Sequence, residues 1–351
     1  MDKLIYVNTP AAGIITKQGK ELLDKFHIGQ LSNPEKAYAD YEQIGYYETK
    51  ELTSTFLGAS SKEVAFIPNF SFGLSGIIAS LLPTRNSVLL YEGDYPSVNL
   101  PFTLNEFEIS YIPSGAFSTE IVLEALAKTT AKVLALSHVQ YMTGYLLDAK
   151  AIGEKCRELG IVFILDTTQS MGVFNYEFSS LPVDVIISSN YKWMNGGYGS
   201  GTMCCKQEFL DEFSPVVGGR NSFRMINDEF LFKRDIHSYE PGHLPFHNLL
   251  LLNAALKIKL EIGKEAIEAH SKNLVSSFIE NLDHDKFKLV GEPSAREKVG
   301  IVSIQNQKGL VNYLAENQVI AVERGEFLRF GFHYHNSENE INAICELLNS
   351  Y

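Results

Sequence analysis

Cysteine, tryptophan and basic residues are scarce in this sequence. Its 351 residues include four cysteines and one tryptophan, and 30 lysines and arginines stand against 42 aspartates and glutamates. Four scattered cysteines are too few for the disulfide framework of a small secreted domain, so we expect free buried thiols. The formal net charge of −12 argues against nucleic acid as the main partner, because phosphate binding needs a basic surface.

Long apolar runs are also missing. No stretch approaches the roughly 20 apolar residues needed to cross a bilayer, and the apolar part of residues 1–8 is too short for a secretory signal. Hydrophobic residues make up 45% of the chain and charged residues 21%, as is usual for globular proteins. We therefore expect a cytoplasmic enzyme without a membrane partner.

The chain does contain an alternation of helical and strand patterns, from about residue 50 to residue 205. The main predicted strands are 64–68, 87–91, 132–137, 161–165 and 185–189, and the main predicted helices are 72–82, 121–128 and 149–159. This alternation is typical of βαβ units and a largely parallel sheet. We predict an α/β fold with a large domain at residues 14–260 and a smaller α+β domain formed by residues 1–13 and 261–351.

Two predicted strands deliver chemically active groups. The apolar run 161–165 is followed by Asp166, and the predicted strand 185–189, which begins with three apolar residues, is followed closely by Lys192. In open α/β sheets, ligands bind at the carboxyl ends of the strands. A lysine and a carboxylate at that edge suit pyridoxal phosphate, which forms a Schiff base with the lysine and pairs its pyridine nitrogen with the acid. The alternatives are a helix cap for Asp166 and a surface lysine for Lys192.

The same cofactor needs a site for its phosphate. Residues 68–75 follow the first strand and open a helix, so the backbone N–H groups near Ser71 and Phe72, with the Ser71 hydroxyl, are predicted to hold a dianion. Ser189 and Tyr191 flank the lysine and offer two more hydroxyls, although a plain helix cap at Ser71 and a buried phenol at Tyr191 stay open. Gln169 is placed to hydrogen-bond the phenolic oxygen of the ring.

Three segments of the chain resemble motifs of one family. Residues 137–144, 166–172 and 189–193 are similar to motifs of the class V aminotransferases, a pyridoxal-phosphate family of fold type I that includes cysteine desulfurases, kynureninases and isopenicillin N epimerase-like proteins. The match runs over nearly the whole chain. The resemblance implies a fold-type I architecture, an amino acid substrate and a homodimer with the active site at its interface.

The resemblance also implies roles for single residues. Tyr95 falls where the family places the residue that stacks on the cofactor ring, and His138 is expected under the cofactor. His243 stands where the family has a threonine that reaches the phosphate across the dimer interface. Arg329 is expected to bind the substrate carboxylate, which a planar guanidinium suits, and Tyr141 is a second candidate for substrate binding.

Transamination at Cα of an amino acid is the expected reaction. A kynureninase-like or other C–C or C–S lyase, an epimerase and a non-catalytic protein of this fold stay open. A cysteine desulfurase carries its nucleophile shortly before the substrate arginine, and no cysteine lies between Val319 and Arg329, so we expect no persulfide chemistry by that route. The turn after the first strand lacks a Gly-x-Gly-x-x-Gly motif, which argues against a nucleotide-binding Rossmann protein.

The histidines do not suggest a metal site. His243 and His247 are separated by Pro245, which disrupts a regular helical face. His333 and His335 alternate near the candidate substrate arginine, and we expect them to line the substrate pocket or to lie at the surface. We therefore predict no bound metal.

Overall fold

The structure, a computed structural model, describes residues 4–82, 84–115, 117–291 and 298–351. Its α-helices are α1 Lys17–Gln30, α2 Pro34–Glu42, α3 Thr49–Leu57, α4 Phe70–Leu81, α5 Pro96–Leu104, α6 Thr119–Leu126, α7 Ala149–Leu159, α8 Gln207–Glu212, α9 Phe246–Ile262, α10 Lys264–Asn281, α11 Leu310–Glu316 and α12 Glu338–Ser350. A π-helical turn, Gln43–Glu48, joins α2 to α3, and 3₁₀ turns span Ser61–Glu63 and Ile236–Tyr239. None of the described helices is long and apolar enough to cross a membrane.

The strands form one large sheet and three small ones. They are β1 Ile5–Tyr6, β2 Val64–Ile67, β3 Ser87–Tyr91, β4 Glu108–Ile112, β5 Val133–Ser137, β6 Val162–Asp166, β7 Val185–Ser189, β8 Gly201–Cys205, β9 Phe223–Ile226, β10 Glu229–Phe232, β11 Ile301–Gln305, β12 Val319–Ile320, β13 Val322–Arg324 and β14 Phe327–Gly331. The strands predicted from the sequence are present, and each lies within two residues of its predicted bounds.

The large sheet has seven strands in the order β2–β8–β7–β6–β5–β3–β4. Its internal pairs are parallel except those of β8, which runs antiparallel to both β2 and β7. Because β8 reverses direction on both sides, β2 runs parallel to β7 and ends at the same edge of the sheet. The predicted α/β architecture with a mostly parallel sheet is confirmed.

Both faces of this sheet are covered by helices. Along β6, Phe163 and Leu165 belong to one buried apolar cluster, and Val162 and Ile164 belong to another on the opposite face. Alternate residues of a strand point to opposite faces, so an unbroken apolar run is what a strand buried on both sides requires. Burial of each large apolar side chain contributes about 1.5–3 kcal/mol, and this burial holds the carboxyl edge of the sheet in place.

The C-terminal part of the chain forms a separate apolar cluster. There β14 pairs antiparallel with both β11 and β13, and α10 and α12 supply buried residues against them. Ile5 and Val7 from the N-terminal segment belong to the same cluster, and β1 pairs with β12. This packing fits the assignment of residues 1–13 to the smaller domain, although the boundary near residue 260 stays a prediction.

Candidate active site

A cavity of 190 Å³ lies at the carboxyl edge of the large sheet. It is lined by residues that follow β2, β3, β5, β6 and β7, namely Asn69, Phe70, Ser71, Tyr95, Ser97, Ser137, Val139, Tyr141, Asp166, Thr168, Gln169, Ser189, Tyr191 and Lys192. Asp166 is the last residue of β6, opposite Ser137 of β5 and Ile187 of β7 in the strand register. The structure therefore brings Asp166 and Lys192 into one cavity.

Asp166 is a buried acid with one free oxygen. Its side chain is 7% exposed, and Oδ1 accepts a hydrogen bond of 2.8 Å from the backbone N–H of Thr168. Oδ2 has no hydrogen-bond partner in the part of the chain that the structure describes. Burial raises the pKa of Asp166, which the hydrogen bonds from Thr168 oppose, and the nearby Asp94 raises it further. A positively charged ring nitrogen beside this acid would stabilise its ionised form.

Lys192 is a buried amine without a hydrogen-bond partner among the described residues. Its Nζ lies 5.7 Å from the ring centroid of Tyr95 and 5.5 Å from that of Tyr191. Burial lowers the pKa of Lys192 to about 8, Asp166 opposes that effect, and the charges of two arginines add to it. A neutral amine is therefore present at pH values where an exposed lysine is almost fully protonated, as nucleophilic attack on an aldehyde requires.

The N-terminal segment packs tightly against this lysine. The N–H of Gly13 donates to the carbonyl of Tyr191 at 2.8 Å, and a Cβ at position 13 would lie 1.9 Å from the carbonyl oxygen of Lys192. No side chain fits into that gap, so glycine is required there by the close approach of the two chain segments.

The residues predicted to hold the phosphate differ in their position relative to the cavity. Ser71, Ser189 and Tyr191 line the cavity, and the N–H of Ser71 has no partner among the described residues. Phe72 is different, because its N–H donates to Asn69 Oδ1 at 3.0 Å and its side chain is 48% exposed. The contact of Phe72 with the cofactor stays a prediction, and in this structure the helix cap uses its N–H.

Gln169 lies between two cavities. Its Nε2 donates to the carbonyl of Pro10 at 3.1 Å, and its Oε1 accepts a hydrogen bond of 2.9 Å from Nε1 of Trp193. These two contacts orient the amide so that it lines both the cavity described above and a second cavity beside it.

The second cavity also measures 190 Å³ and contains two arginines. It is lined by Pro10, Ala11, Tyr95, Tyr141, Gln169, Tyr191, Lys192, Arg324 and Arg329. Arg329 is 2% exposed, and its Nη1 donates to the carbonyl of Tyr141 at 2.8 Å. Its buried Nε has no partner among the described residues, and burial lowers the pKa of the guanidinium to about 10. A carboxylate in this cavity would satisfy the free N–H group.

His138 does not face the cofactor cavity. Its Nδ1 is 3.1 Å from Ser170 Oγ and also contacts the Tyr176 hydroxyl, and its ring packs edge-to-face on Phe174 at 4.8 Å. Burial lowers the pKa of His138 to about 3, so the ring is neutral. The contact of His138 with the cofactor stays a prediction, and in this chain the imidazole lines a different cavity. In an extended chain neighbouring side chains point to opposite sides, and the residues on either side of His138 are the ones that line the cavity.

His243 lies apart from Lys192 within one chain. It lines a cavity of 520 Å³ together with Tyr46, His237 and Glu240. Glu240 is buried there in an ion pair of 3.1 Å with Lys50. The contact of His243 with the phosphate of a partner subunit stays a prediction.

The other histidines have structural contacts in this chain. His333 is fully buried, and its Nε2 lies 2.9 Å from the carbonyl oxygen of Trp193 and 3.1 Å from Lys259 Nζ. The His333 ring therefore packs against the turn after Lys192, and it lines neither cavity. Across the described ranges, no group of three or more His, Cys, Asp or Glu side chains could hold a metal ion.

Four polar residues near the cavity were missed by the sequence analysis. Asn69 caps α4, and Thr168 accepts a hydrogen bond of 3.2 Å from the N–H of Ser189. Asp94 is buried behind the cavity and accepts a bond of 2.8 Å from the N–H of Ser137, which holds the end of β5. A polar residue directly after a strand is the signal that points to Asn69, but no sequence signal places Arg324 in the second cavity.

The residues present fit pyridoxal phosphate. The cavity has a free carboxylate oxygen for the ring nitrogen, a lysine for the aldehyde, and serine and tyrosine hydroxyls with a free N–H at a helix start for the phosphate. Tyr95 has one ring face towards the lysine and is suited to stack on a pyridine ring.

Several known proteins are similar to this chain in sequence or in fold. A family model described as aminotransferase class-V matches residues 5–344. A protein of Pyrococcus abyssi named "probable cysteine desulfurase" is 22% identical over 99% of this chain and 94% of its own length. A protein of Bacillus subtilis named as an uncharacterized aminotransferase is 24% identical over 83% of this chain and 80% of its own length. The solved structure of the cystine C–S lyase C-DES with its product cysteine persulfide has a TM-score of 0.87 at 19% identity, and the match covers 100% of this chain and 98% of that chain.

Proposed function

The chain belongs to the aminotransferase class-V family of pyridoxal-phosphate enzymes that act on amino acids, and from this premise we propose that it is a lyase that breaks a bond between Cβ and sulfur. The observation that carries the proposal is the absence of a thiol from the residues that line the two cavities. All four cysteines are buried elsewhere. Sulfur released from a substrate therefore has no cysteine of these cavities to accept it, and it leaves with its own substituent.

The relatives support cleavage of a carbon–sulfur bond. The Pyrococcus abyssi protein is named for desulfuration of cysteine, and C-DES is described as a cystine C–S lyase. Transamination, the reaction expected from the sequence, stays the second candidate because the Bacillus subtilis relative is named as an aminotransferase. The homodimer is proposed from the family resemblance, and the cytoplasmic location from the composition of the sequence.

Each residue of the site has a role in this reaction. Arg329 binds the substrate carboxylate and thereby positions Cα, while Asp166 holds a proton at the ring nitrogen of the cofactor. The cofactor, when bound, supplies an electron sink for the electron pair left at Cα. Lys192 takes the proton from Cα as a general base, because burial lowers the pKa of its amine to about 8 and so gives a larger neutral fraction than an exposed lysine has.

The elimination needs no reactant other than the substrate and one water molecule. When the Cβ–S bond breaks, its electron pair leaves with the sulfur, and the protonated Lys192 returns a proton to that sulfur. Addition of one water molecule then gives a thiol, pyruvate and ammonia from an S-substituted cysteine. A transaminase would instead need an added 2-oxo acid and would release no ammonia.

Product analysis distinguishes these reactions. We expect the holoenzyme to form pyruvate and ammonia from L-cysteine, L-cystine or an S-alkyl cysteine without any acceptor. The Lys192→Ala variant should lose this activity. Lys308→Ala, which changes an exposed lysine that lines neither cavity, should keep it. If a new amino acid forms, and only when a 2-oxo acid is added, the enzyme is a transaminase and the lyase proposal is wrong. No turnover of any amino acid would favour a non-catalytic protein.

A further inference from the structure

We propose that the side chain of the substrate ends in an anionic group and that Arg324 binds it. This inference rests on the proposed function, because it assumes that an amino acid occupies the second cavity. That cavity is lined by two arginines, Arg324 and Arg329, and by the Lys192 amine, and none of its lining residues is an aspartate or glutamate. An amino acid with a neutral side chain would bring only its α-carboxylate to the positively charged groups of this cavity.

The two arginines have different contacts. Arg329 is buried, donates one bond to the carbonyl of Tyr141 and keeps its Nε free, so it is suited to the α-carboxylate. Arg324 is exposed at the cavity and makes no ion pair or hydrogen bond with any described residue. The neighbouring acid Glu323 lies on the opposite face of β13, since adjacent residues of a strand point to opposite sides, and its Oε2 accepts a hydrogen bond of 2.9 Å from Asn306. Arg324 is therefore available for a second anion.

The hairpin of β13 and β14 places both guanidinium groups on one side. Val322 pairs with Arg329, and Arg324 pairs with Phe327 in the antiparallel register. Directly opposed residues share a face, and so do residues two apart in a strand, so Arg324 and Arg329 lie on the same face of the hairpin. Such diagonal positions are about 7–8 Å apart, a spacing that two anionic groups of one small molecule can bridge.

The positive charge of Arg324 affects the other ionisable groups of the second cavity. It lowers the pKa of both Lys192 and Arg329, as expected for a cation that faces them. Two arginines directed at one partly buried space repel each other unless an anion lies between them. A terminal carboxylate, sulfinate or sulfonate on the substrate would supply that anion, whereas a neutral tail would leave Arg324 without a partner.

Binding of matched probes tests this inference independently of turnover. Succinate and succinamate have the same size, but succinamate carries an amide in place of one carboxylate. We expect calorimetric titration of the holoenzyme to show that succinate binds roughly tenfold to hundredfold more tightly, the usual effect of a hydrogen-bonded charge. In Arg324→Gln this preference should disappear while the affinity for succinamate is unchanged. Lys308→Gln removes a charge from an exposed position of the same C-terminal region and should keep the preference.

A pair of substrates provides the second measurement. S-carboxymethyl-L-cysteine and S-carbamoylmethyl-L-cysteine differ only in the charge of the tail. Arg324→Gln should raise KM for the carboxymethyl compound by roughly tenfold more than KM for the carbamoylmethyl compound, and any change in kcat should be the same for both compounds. Two results would overturn the inference. One is equal affinity of the wild-type enzyme for succinate and succinamate, and the other is that Arg324→Gln weakens the binding of charged and neutral compounds equally. If both cysteine derivatives still release pyruvate in that case, the proposed lyase reaction survives and only the role of Arg324 fails.

Discussion

Nε1 of Trp193 donates a hydrogen bond of 2.9 Å to Oε1 of Gln169, the amide that lines both cavities of the candidate site. Trp193 directly follows Lys192 in the chain and is fully buried. The residue after Lys192 therefore determines which end of the Gln169 side chain is an acceptor. The amide nitrogen of Gln169 then donates to the carbonyl of Pro10.

Replacement of this indole should affect both stability and cofactor binding. In Trp193→Phe the buried Oε1 of Gln169 loses its donor, which costs about 1–3 kcal/mol of unfolding free energy. We also expect a severalfold weaker affinity for pyridoxal phosphate, because the amide is no longer held in one orientation. Urea unfolding and cofactor titration measure the two effects. In a double-mutant cycle with Gln169→Leu the two losses should not add, and simple additivity would show that the bond contributes nothing.

Capture of the cofactor by the apo-protein should depend on pH through Lys192. The neutral amine is the attacking form, and burial lowers its pKa to about 8, so the rate should rise with pH and reach half of its maximum near pH 8. The rise in absorbance after mixing with pyridoxal phosphate between pH 6 and 10 measures this rate. A midpoint near 10.5, the value of an exposed lysine, would contradict the burial argument. Arg324→Gln should shift the midpoint upwards, because it removes a positive charge that opposes protonation.

Gly13 offers a steric test of the same lysine. In Gly13→Ala the new methyl group would meet the carbonyl oxygen of Lys192, so the N-terminal segment or the lysine turn must move. We expect a loss of about 1–3 kcal/mol of unfolding free energy and weaker cofactor retention. Gly218→Ala is the matched control, because no heavy atom lies within 4 Å of a Cβ at that position. Equal behaviour of the two variants in thermal unfolding would refute the close approach.

His138 should make the protein less stable in acid. Its pKa is 6.5 when unfolded and about 3 when buried in the folded state, so between these values the unfolded chain binds the extra proton. Stability is therefore lost as the pH falls from 6.5 towards 3, by up to about 1.36 kcal/mol for each pH unit. The buried Asp94 and Asp184 have raised pKa values and contribute a slope of the opposite sign, so the comparison must be made with a variant.

His138→Asn provides that comparison, because it keeps a hydrogen-bonding group near Ser170 and Tyr176 but cannot take up a proton. Urea unfolding at a series of pH values should show a smaller loss of stability in acid for the variant than for the wild type. Parallel curves for the two proteins would mean that the imidazole does not titrate as its burial requires.

Some elements could be predicted from the sequence because their burial is periodic. Strands β6 and β7 are apolar on both faces, and α7 alternates apolar and polar residues at helical spacing, so their bounds were predicted within one residue. The hairpin of β9 and β10 was not predicted, and seven of its eight residues are exposed. An element that buries almost nothing leaves no pattern of burial in its sequence.

Helices α1 to α3 were left unassigned although cap signals precede two of them. Thr16 caps α1, and Asn33 caps α2 with a proline at its first position. The interiors are rich in charged residues, and α1 buries only Gly19 and Phe26. Caps without a clear apolar stripe are weak evidence for a helix, because most helical stability in proteins comes from the packing of that stripe.

The amino-acid sequence by itself determined that an acid and an amine meet at one edge of the sheet. Consecutive buried strands of a parallel sheet all end at that edge, so Asp166 and Lys192 needed no knowledge of long-range contacts. Only the tertiary structure decided which neighbouring side chains point into the cavities. His138 faces away from them and Arg324 faces into them, because each direction follows from the side of a strand and from how separate parts of the chain pack together. That packing is a property of the folded chain as a whole, and no local sequence pattern records it.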